Sequence, residues 1–363
     1  FCESCYCIQL RDCLNHYDLY KNYTYSTPHS RSLTNQYKNI LSIIKEKFKS
    51  TRELFCFEIG SNNGELLYFL KNEFKEILGL DPAENIVKLA TKKGINTICE
   101  FFDAFQAERI LNNHGKANVI IARHMFAHNK DPQKLMDGIT KLLDENGLLL
   151  IENAYAVDTL VKNEFDQIYH EHMFYYSAIA IQNLFKRNNL ELFNIDFSNV
   201  HGGSALFVAG KKGKNEISHS LKETLENEKR LFEDMNIFKS FVLNTENLKQ
   251  SALKYIQSEL QKGKKIISYG APAKAFTVFS YYGLSNKEIS LCIDTTPEKQ
   301  GKLFPKFNIP IYGEEKLGDI EYDIVVVNAW NYREEIIEKS GKIFNPGTKL
   351  LFLVPSFEEF TVK

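Results

Sequence analysis

The sequence has no excess of either charge: 45 lysines and arginines stand against 46 aspartates and glutamates, for a net charge of −1. It therefore has no general electrostatic hold on nucleic acid or an anionic membrane surface, and a charged ligand must be met by a local site. No apolar run approaches the roughly 20 residues that span a bilayer. The N-terminus lacks the apolar core of a signal peptide. Also missing are the Gly-x-Gly-x-x-Gly of dinucleotide sites, the Lys-Ser/Thr of a P-loop and the His-Glu-x-x-His of zinc peptidases, so pyrophosphate binding at such motifs is disfavoured. There is no repeat of solenoid period and no low-complexity tract. These absences leave a cytoplasmic enzyme or binding protein.

What is present is a globular composition, 44% hydrophobic and 13% aromatic, over 363 residues. At about 100 to 200 residues per domain that predicts two to three domains, with a core large enough to need neither disulfide nor metal. Four of the seven cysteines, Cys2, Cys5, Cys7 and Cys13, lie in the first thirteen residues. Cys56, Cys99 and Cys292 sit in apolar, strand-like segments and read as core residues. Cys2 and Cys5 form a Cys-x-x-Cys pair, which in a reducing compartment suggests zinc before a disulfide. A closed zinc site needs four ligands. The other half would come from an upstream pair lost before Phe1, or from Cys7, Cys13 or His16.

A tyrosine-rich stretch (Tyr17, Tyr20, Tyr23, Tyr25) precedes a helical pattern around residues 34 to 49. Short apolar runs follow at Leu54–Ile59, Ile77–Leu80, Thr97–Phe101, Asn118–Ala122 and Leu148–Ile151, spaced by helix-length amphipathic stretches. Such alternation predicts a parallel sheet with helices on both faces. Leu192–Phe197 and Ala205–Ala209 are separated only by a short segment containing Gly202 and Gly203, which predicts a hairpin. The expected α/β fold is a Rossmann-like, seven-stranded doubly wound sheet with an antiparallel edge, over 49–212. Residues 213–261, proline-free and helically patterned, read as a connector. A second alternation over 262–363 predicts a smaller Rossmann-like domain, and 1–48 is an N-terminal segment apart.

Gly60-Ser61-Asn62-Asn63-Gly64 lies between a strand and a helix, where glycine lets backbone approach a ligand. Asp81 closes the next strand about twenty residues on, where an acid typically holds two ribose hydroxyls. An acid there without a phosphate-binding glycine set suggests a nucleoside lacking phosphates. S-adenosylmethionine fits, with its adenine near Phe102 and Asp103. The competing reading makes the glycines plain turn residues and Asp81 a helix cap before Pro82.

His124 and His128 follow the fourth strand, and Tyr169-His170-Glu171-His172 follows the fifth, at the sheet edge where ligands of open α/β sheets bind. A metal on His170, Glu171 and His172, a purely structural cluster, and general-base catalysis are the three readings. For the last, a histidine titrates near working pH, a carboxylate orients it, and a phenol donates to a developing oxyanion.

Six ordered motifs then resemble one family: Cys2-x-x-Cys5, Glu58 to Gly64, Ala122-Arg123-His124 to His128, Tyr169 to His172, His201-Gly202-Gly203-Ser204, and Tyr269-Gly270-Ala271-Pro272-Ala273-Lys274. The family is that of the S-adenosylmethionine-dependent sugar C-methyltransferases acting on nucleotide-linked keto-deoxysugars. The resemblance implies an N-terminal zinc-binding segment, a central methyltransferase domain and a C-terminal Rossmann-like domain. It implies His172 as base, with Tyr169, Glu171 and His128 around the reacting sugar. The cofactor would meet Glu58, Gly60, Ser61, Asn62, Gly64, Asp81, Phe102, Asp103 and Arg123. The nucleotide sugar would meet Tyr23, Tyr25 and His201, with its phosphates at Gly270 and Lys274 and a hydroxyl at Asp294.

This chain departs from the family pattern in three places: the first Cys pair of the zinc motif is missing, Lys274-Ala275 stands for Lys-Gly, and Asn63 stands for aspartate. The expected function is C-methylation at carbon three beside a ketone at carbon four. The alternatives are O- or N-methylation of a related nucleotide sugar, and a nucleotide-sugar protein carrying NAD in its second half.

Overall fold

A computed structural model of the chain describes every residue except 16–18, 21, 22, 24 and 234. Two compact units emerge, Phe1–Val157 with His170–Glu233, and Asp158–Tyr169 with Asp234–Lys363.

In the first unit β1 (Ile8–Gln9) is a short outlier, and the sheet begins at β2 (Phe55–Ile59), all five of whose residues are buried. A strand covered on both faces reads as an unbroken apolar run, which is why it was legible. β3 (Glu76–Leu80), β4 (Thr97–Ile98), β5 (Ala117–Arg123) and β6 (Leu143–Ala154) continue the parallel part. β7 (Phe174–Tyr175) pairs antiparallel with β1 in a sheet of their own. β8 (Leu190–Ser198) and β9 (Ser204–Lys211) form the hairpin and close the order β4-β3-β2-β5-β6-β9-β8. The predicted seven strands with an antiparallel edge are thus present. β4 is shorter than the predicted Thr97–Phe101: it is an edge strand with one neighbour, and Asp103 already caps the next helix by accepting from Gln106 N.

The chain leaves β2 in opposite directions across the sheet, toward β3 and β4 and toward β5 and β6, so β2 and β5 flank a topological switch point. The Gly60–Gly64 loop and the His124–His128 segment both start there. Helix Arg31–Lys47, capped by Ser30, buries Leu33, Tyr37, Ile40 and Ile44 against Leu66, Leu67 and Leu150 beneath this edge.

The predicted connector is two helices, His219–Glu233 and Asn236–Gln261, separated at Met235, whose φ of 59° is left-handed. The first buries Leu221 and Phe232 and belongs to the first unit; the second buries Ala252 and Ile256 and belongs to the second.

The second unit holds β10 (Ile266–Tyr269), β11 (Cys292–Ile293), β12 (Ile311–Tyr312), β13 (Ile324–Val327), β14 (Lys349–Phe352) and β15 (Glu358–Thr361), in the order β12-β11-β10-β13-β14-β15. All but β15 are parallel, so this is a second Rossmann-like sheet with its own switch point between β10 and β13. Residues 158–169 fold with this unit, which the sequence boundaries did not anticipate: Phe165 stacks on Tyr282 at 5.7 Å and meets Tyr281 at 5.3 Å. No helix among the described residues is long and apolar enough to cross a membrane.

Candidate active site

Gly60 leaves β2 with φ +70°, and a methyl group there would come 2.7 Å from Met125 Cγ. Only glycine meets both conditions. Gly60 N and Ser61 N donate to Leu80 O at 2.7 and 3.0 Å, tying the loop to the end of β3. Asp81 is buried there; it accepts from Asn62 N at 2.9 Å and from Ala83 N at 3.0 Å. Burial raises its pKa, against those two bonds.

Three buried polar atoms at this loop have no hydrogen-bond partner among the described residues: Glu58 Oε2, Ser61 Oγ and Asn63 Oδ1. Burial pushes the Glu58 carboxyl up to about 8. Orphaned buried polar groups are costly, and a polar ligand seated on the loop would satisfy them. The loop therefore fits the amino-acid end of S-adenosylmethionine. Phe102 is buried against Phe57 at 5.5 Å, and Asp103 serves as a helix cap.

The tyrosine-rich strip is fastened over this loop. Asn62 Oδ1 accepts from Thr27 N at 2.8 Å, Asn62 Nδ2 donates to Tyr25 O at 3.2 Å, and Asn63 Nδ2 donates to Thr27 O at 2.9 Å. Asn85 Nδ2 holds Tyr23 O at 2.7 Å.

From the strip, Tyr23 Oη donates to Glu171 Oε2 at 3.2 Å, and Tyr20 Oη lies 2.8 Å from His128 Nδ1. The His128 and His172 rings are 5.1 Å apart, and His172 meets Tyr175 edge-on at 6.3 Å. So the structure brings Tyr23, His128, Glu171 and His172 together, and adds Tyr20, which sequence reasoning assigned no role. Enclosure, and then the neighbouring His170 charge, pull the His128 pKa down to about 4. Burial raises Glu171, against His170 and the Tyr23 bond.

Arg123 ends β5 facing Glu152: its Nε donates to Glu152 Oε2 at 2.6 Å, and its guanidinium lies over the Tyr37 ring at 4.9 Å. His124, φ 49°, meets His201, φ 55°, ring to ring at 4.6 Å. Glu152, unnoticed in the sequence, is the acid that organises this second cluster. Tyr25 is exposed beside the loop.

In the second unit Gly270, φ +87°, turns the chain after β10, and Asn328 Nδ2 donates to its carbonyl at 2.7 Å. Lys274 places its ammonium 4.7 Å from the centre of the Trp330 ring. Asp294, expected as a hydroxyl partner, instead braces the turn, accepting from Ala271 N at 2.6 Å, Thr296 N at 2.8 Å and Lys299 Nζ at 3.3 Å. Tyr169 closes the 158–169 segment, its N donating to Gln167 O at 3.2 Å.

The described residues do not fit a closed zinc site. Cys2 and Cys5 are hydrogen-bonded thiols, Cys7 is buried with Sγ near Ile8 O and its thiol pushed up to about 12, and Cys13 is exposed. No group of three or more His, Cys, Asp or Glu among the described residues is arranged to hold a metal. His16, one of the expected ligands, and Tyr17 lie outside the described residues.

Residues 38–194 match the methyltransferase domain family, and 199–355 match the family described as the C-methyltransferase C-terminal domain. C-methyltransferase NovU of Streptomyces niveus is 30% identical over 356 residues, which is 98% of this chain and 85% of NovU. The chain belongs to the C-methyltransferases. It is a methyltransferase dependent on S-adenosylmethionine. Among solved structures it is similar to a magnesium protoporphyrin IX methyltransferase of Synechocystis PCC 6803 with bound SAM (12% identity, TM-score 0.41, 56% of this chain and all of that one). It is also similar to a SAM-dependent methyltransferase of Anabaena variabilis (17%, TM-score 0.39, 53% of this chain and all of that one).

Proposed function

We propose that this enzyme, working in the cytoplasm, C-methylates a nucleotide-activated keto-deoxysugar at the carbon beside its ketone, carbon three next to carbon four. The observation that carries the reading is the apposition of His128 and His172, braced by Tyr20 and followed by Glu171 on Tyr23, at the carboxyl edge of the sheet beside the glycine loop. A sugar C–H becomes acidic only when an adjacent ketone can take the electron pair as an enolate. His172 takes that proton, and Glu171 steadies the cation that results. His128, held neutral, accepts from Tyr20 at Nδ1 and so carries its own proton on Nε2, from which it donates to the enolate oxygen. The enolate carbon would then form the new C–C bond as the methyl's bond to sulfur breaks, the neutral thioether leaving with the electron pair. S-adenosylmethionine supplies a methyl already activated by its sulfonium, so no metal is needed for the transfer.

In this reading Glu58, Gly60, Ser61, Asn62, Gly64 and Asp81 hold the cofactor, with Phe102, Asp103 and Arg123 shaping the walls. Tyr23, Tyr25 and His201 meet the sugar.

The test uses methyl-labelled S-adenosylmethionine and a panel of nucleotide-linked 4-keto sugars in deuterated water. Wild type should exchange the hydrogen beside the ketone and incorporate methyl on carbon, and His172→Asn should lose both. Cofactor binding with neither reaction on any keto-sugar would overturn the reading and move O- or N-methylation ahead.

A further inference from the structure

Alternate residues of a strand share a face, so Glu58 lies on the side of Cys56, Arg123 on that of Ile121, and Glu152 on that of Leu148 and Leu150. This is the face that helix Arg31–Lys47 covers. Glu58 is opposite Ile121 across β2 and β5, and Arg123 is opposite Glu152 across β5 and β6. Three charged side chains therefore end an otherwise apolar face at the carboxyl edge, beside the glycine loop, and both acids are buried. The groups that act on Glu58 are Arg123, Asp81 and Glu152, together with Tyr37 from the covering helix and Cys56 of its own strand. Three carboxyls thus gather around one guanidinium, all within the first unit.

Most of their hydrogen-bonding capacity is committed. Arg123 gives Nε to Glu152 Oε2 at 2.6 Å and lays its guanidinium over Tyr37. Asp81 accepts from two backbone N–H groups. Glu58 Oε2 and Glu152 Oε1 are left buried with no hydrogen-bond partner among the described residues. Two such oxygens call for a cation with several N–H donors. At its amino-acid end S-adenosylmethionine has one group of that kind, the α-ammonium. In the cofactor-free enzyme burial, and then Asp81 and Glu152, push the Glu58 carboxyl up to about 8 against the pull of Arg123, so Glu58 carries a proton at neutral pH.

We infer that Glu152 and Glu58 form a two-carboxylate seat for the cofactor's α-ammonium, which enters in exchange for a proton. The O–H bond of the Glu58 carboxyl breaks, its proton passes to solvent, and N–H groups of the ammonium meet both orphaned oxygens. Arg123 holds Glu152 in place by its other oxygen. The inference rests on the reading that the glycine loop receives the amino-acid end of the cofactor. Because the proton must be displaced below about pH 8, affinity for an ammonium ligand falls as pH falls.

The intact enzyme is titrated by calorimetry with S-adenosylhomocysteine, which keeps the α-ammonium, and with 5′-methylthioadenosine, which lacks the amino-acid end. At about pH 6.5 the ligand's amine is itself charged. Phosphate and Bis-Tris differ in heat of ionisation, so the difference in binding heat between them counts protons. S-adenosylhomocysteine should release about one proton and 5′-methylthioadenosine none. Glu58→Gln, which leaves the Arg123–Glu152 bond in place, should abolish the release. Glu152→Gln should weaken S-adenosylhomocysteine about tenfold and 5′-methylthioadenosine less than about twofold. If that variant does not fold, Glu152→Asp, which draws the oxygens back by one methylene, should show the same selective loss.

Tight binding of S-adenosylhomocysteine with no proton released overturns the seat and leaves the cofactor reading of the loop standing. A release shared with 5′-methylthioadenosine also overturns it, as does a Glu152 variant that weakens both ligands alike, since Glu152 is then a structural partner of Arg123 only. If wild type binds S-adenosylhomocysteine no more tightly than 5′-methylthioadenosine, the loop reading fails and the seat with it.

Discussion

Tyr20 Oη and His128 Nδ1 stand 2.8 Å apart across 108 residues of sequence. Burial raises the phenol far above its ordinary range, so it stays a neutral hydrogen-bonding group, and its ring is also fixed by Tyr23 at 5.0 Å and Phe101 at 6.0 Å. Tyr20→Phe removes one oxygen and keeps the ring. A lost orienting bond of roughly 1 to 1.5 kcal/mol corresponds to about a tenfold slower reaction. We expect that loss in methyl transfer, with the cofactor dissociation constant unchanged by calorimetry. Equal activity would show that Tyr20 does not set the His128 tautomer.

The acid limit of stability should carry the signature of His128. Its folded-state pKa of about 4 lies below the ordinary 6.5. Between those values the unfolded chain binds a proton that the folded chain refuses. Stability therefore rises with pH through this window and is lost as pH falls, by at most about 3 kcal/mol. His128→Gln should lose that slope, so urea midpoints at pH 4.5 and 7.5 should lie closer together than in wild type. An identical spacing in both proteins would remove His128 as the source.

Gly60→Ala meets two penalties at once, a left-handed φ and a methyl pressed on Met125. The two together should cost about 1 to 3 kcal/mol and distort the loop. Weaker cofactor binding in calorimetry should accompany the lower denaturation midpoint. The double variant with Met125→Ala should regain little, because the Cβ at 125, 2.8 Å away, and the backbone strain both remain.

Glu228 accepts from Tyr155 Oη at 2.6 Å, Ala178 N at 2.7 Å and Ile179 N at 2.8 Å, closing the start of the helix that follows Tyr175 and Tyr176. Glu228→Ala removes the acceptor these three donors share and should destabilise the enzyme by about 2 to 4 kcal/mol. Glu228→Gln, which keeps one acceptor, should cost less. Equal denaturation midpoints for the two variants would mean that water replaces the carboxylate.

The sequence made legible whatever has a local cause. β2, the Gly60 turn and Asp81 were visible because a doubly covered strand is apolar throughout and the turn that follows demands glycine. The hairpin was visible from two runs with a glycine-bearing link. What escaped depends on contacts with no sequence period. Tyr20 stood in plain view in its tyrosine run, but nothing in the run points to His128. Glu152 ended an ordinary strand until Arg123 turned toward it. Residues 158–169 looked like part of the first sheet's loops, because the groups that hold them, Trp330 and Tyr282, come more than a hundred positions later. Asp294 had the right place for a ligand, yet its oxygens serve the turn.

The three asparagines that grip the strip have a consequence for the occupants of loop and strip. Asn62 and Asn63 belong to the glycine loop itself, and they bind the backbone of residues 25–27, while Tyr20 and Tyr23 of the same strip reach His128 and Glu171. Loop and strip therefore share one mechanical linkage: displacing either strains the other. On the proposed assignment of cofactor to the loop and acceptor to the strip, a change of occupant at one is felt at the other through these bonds.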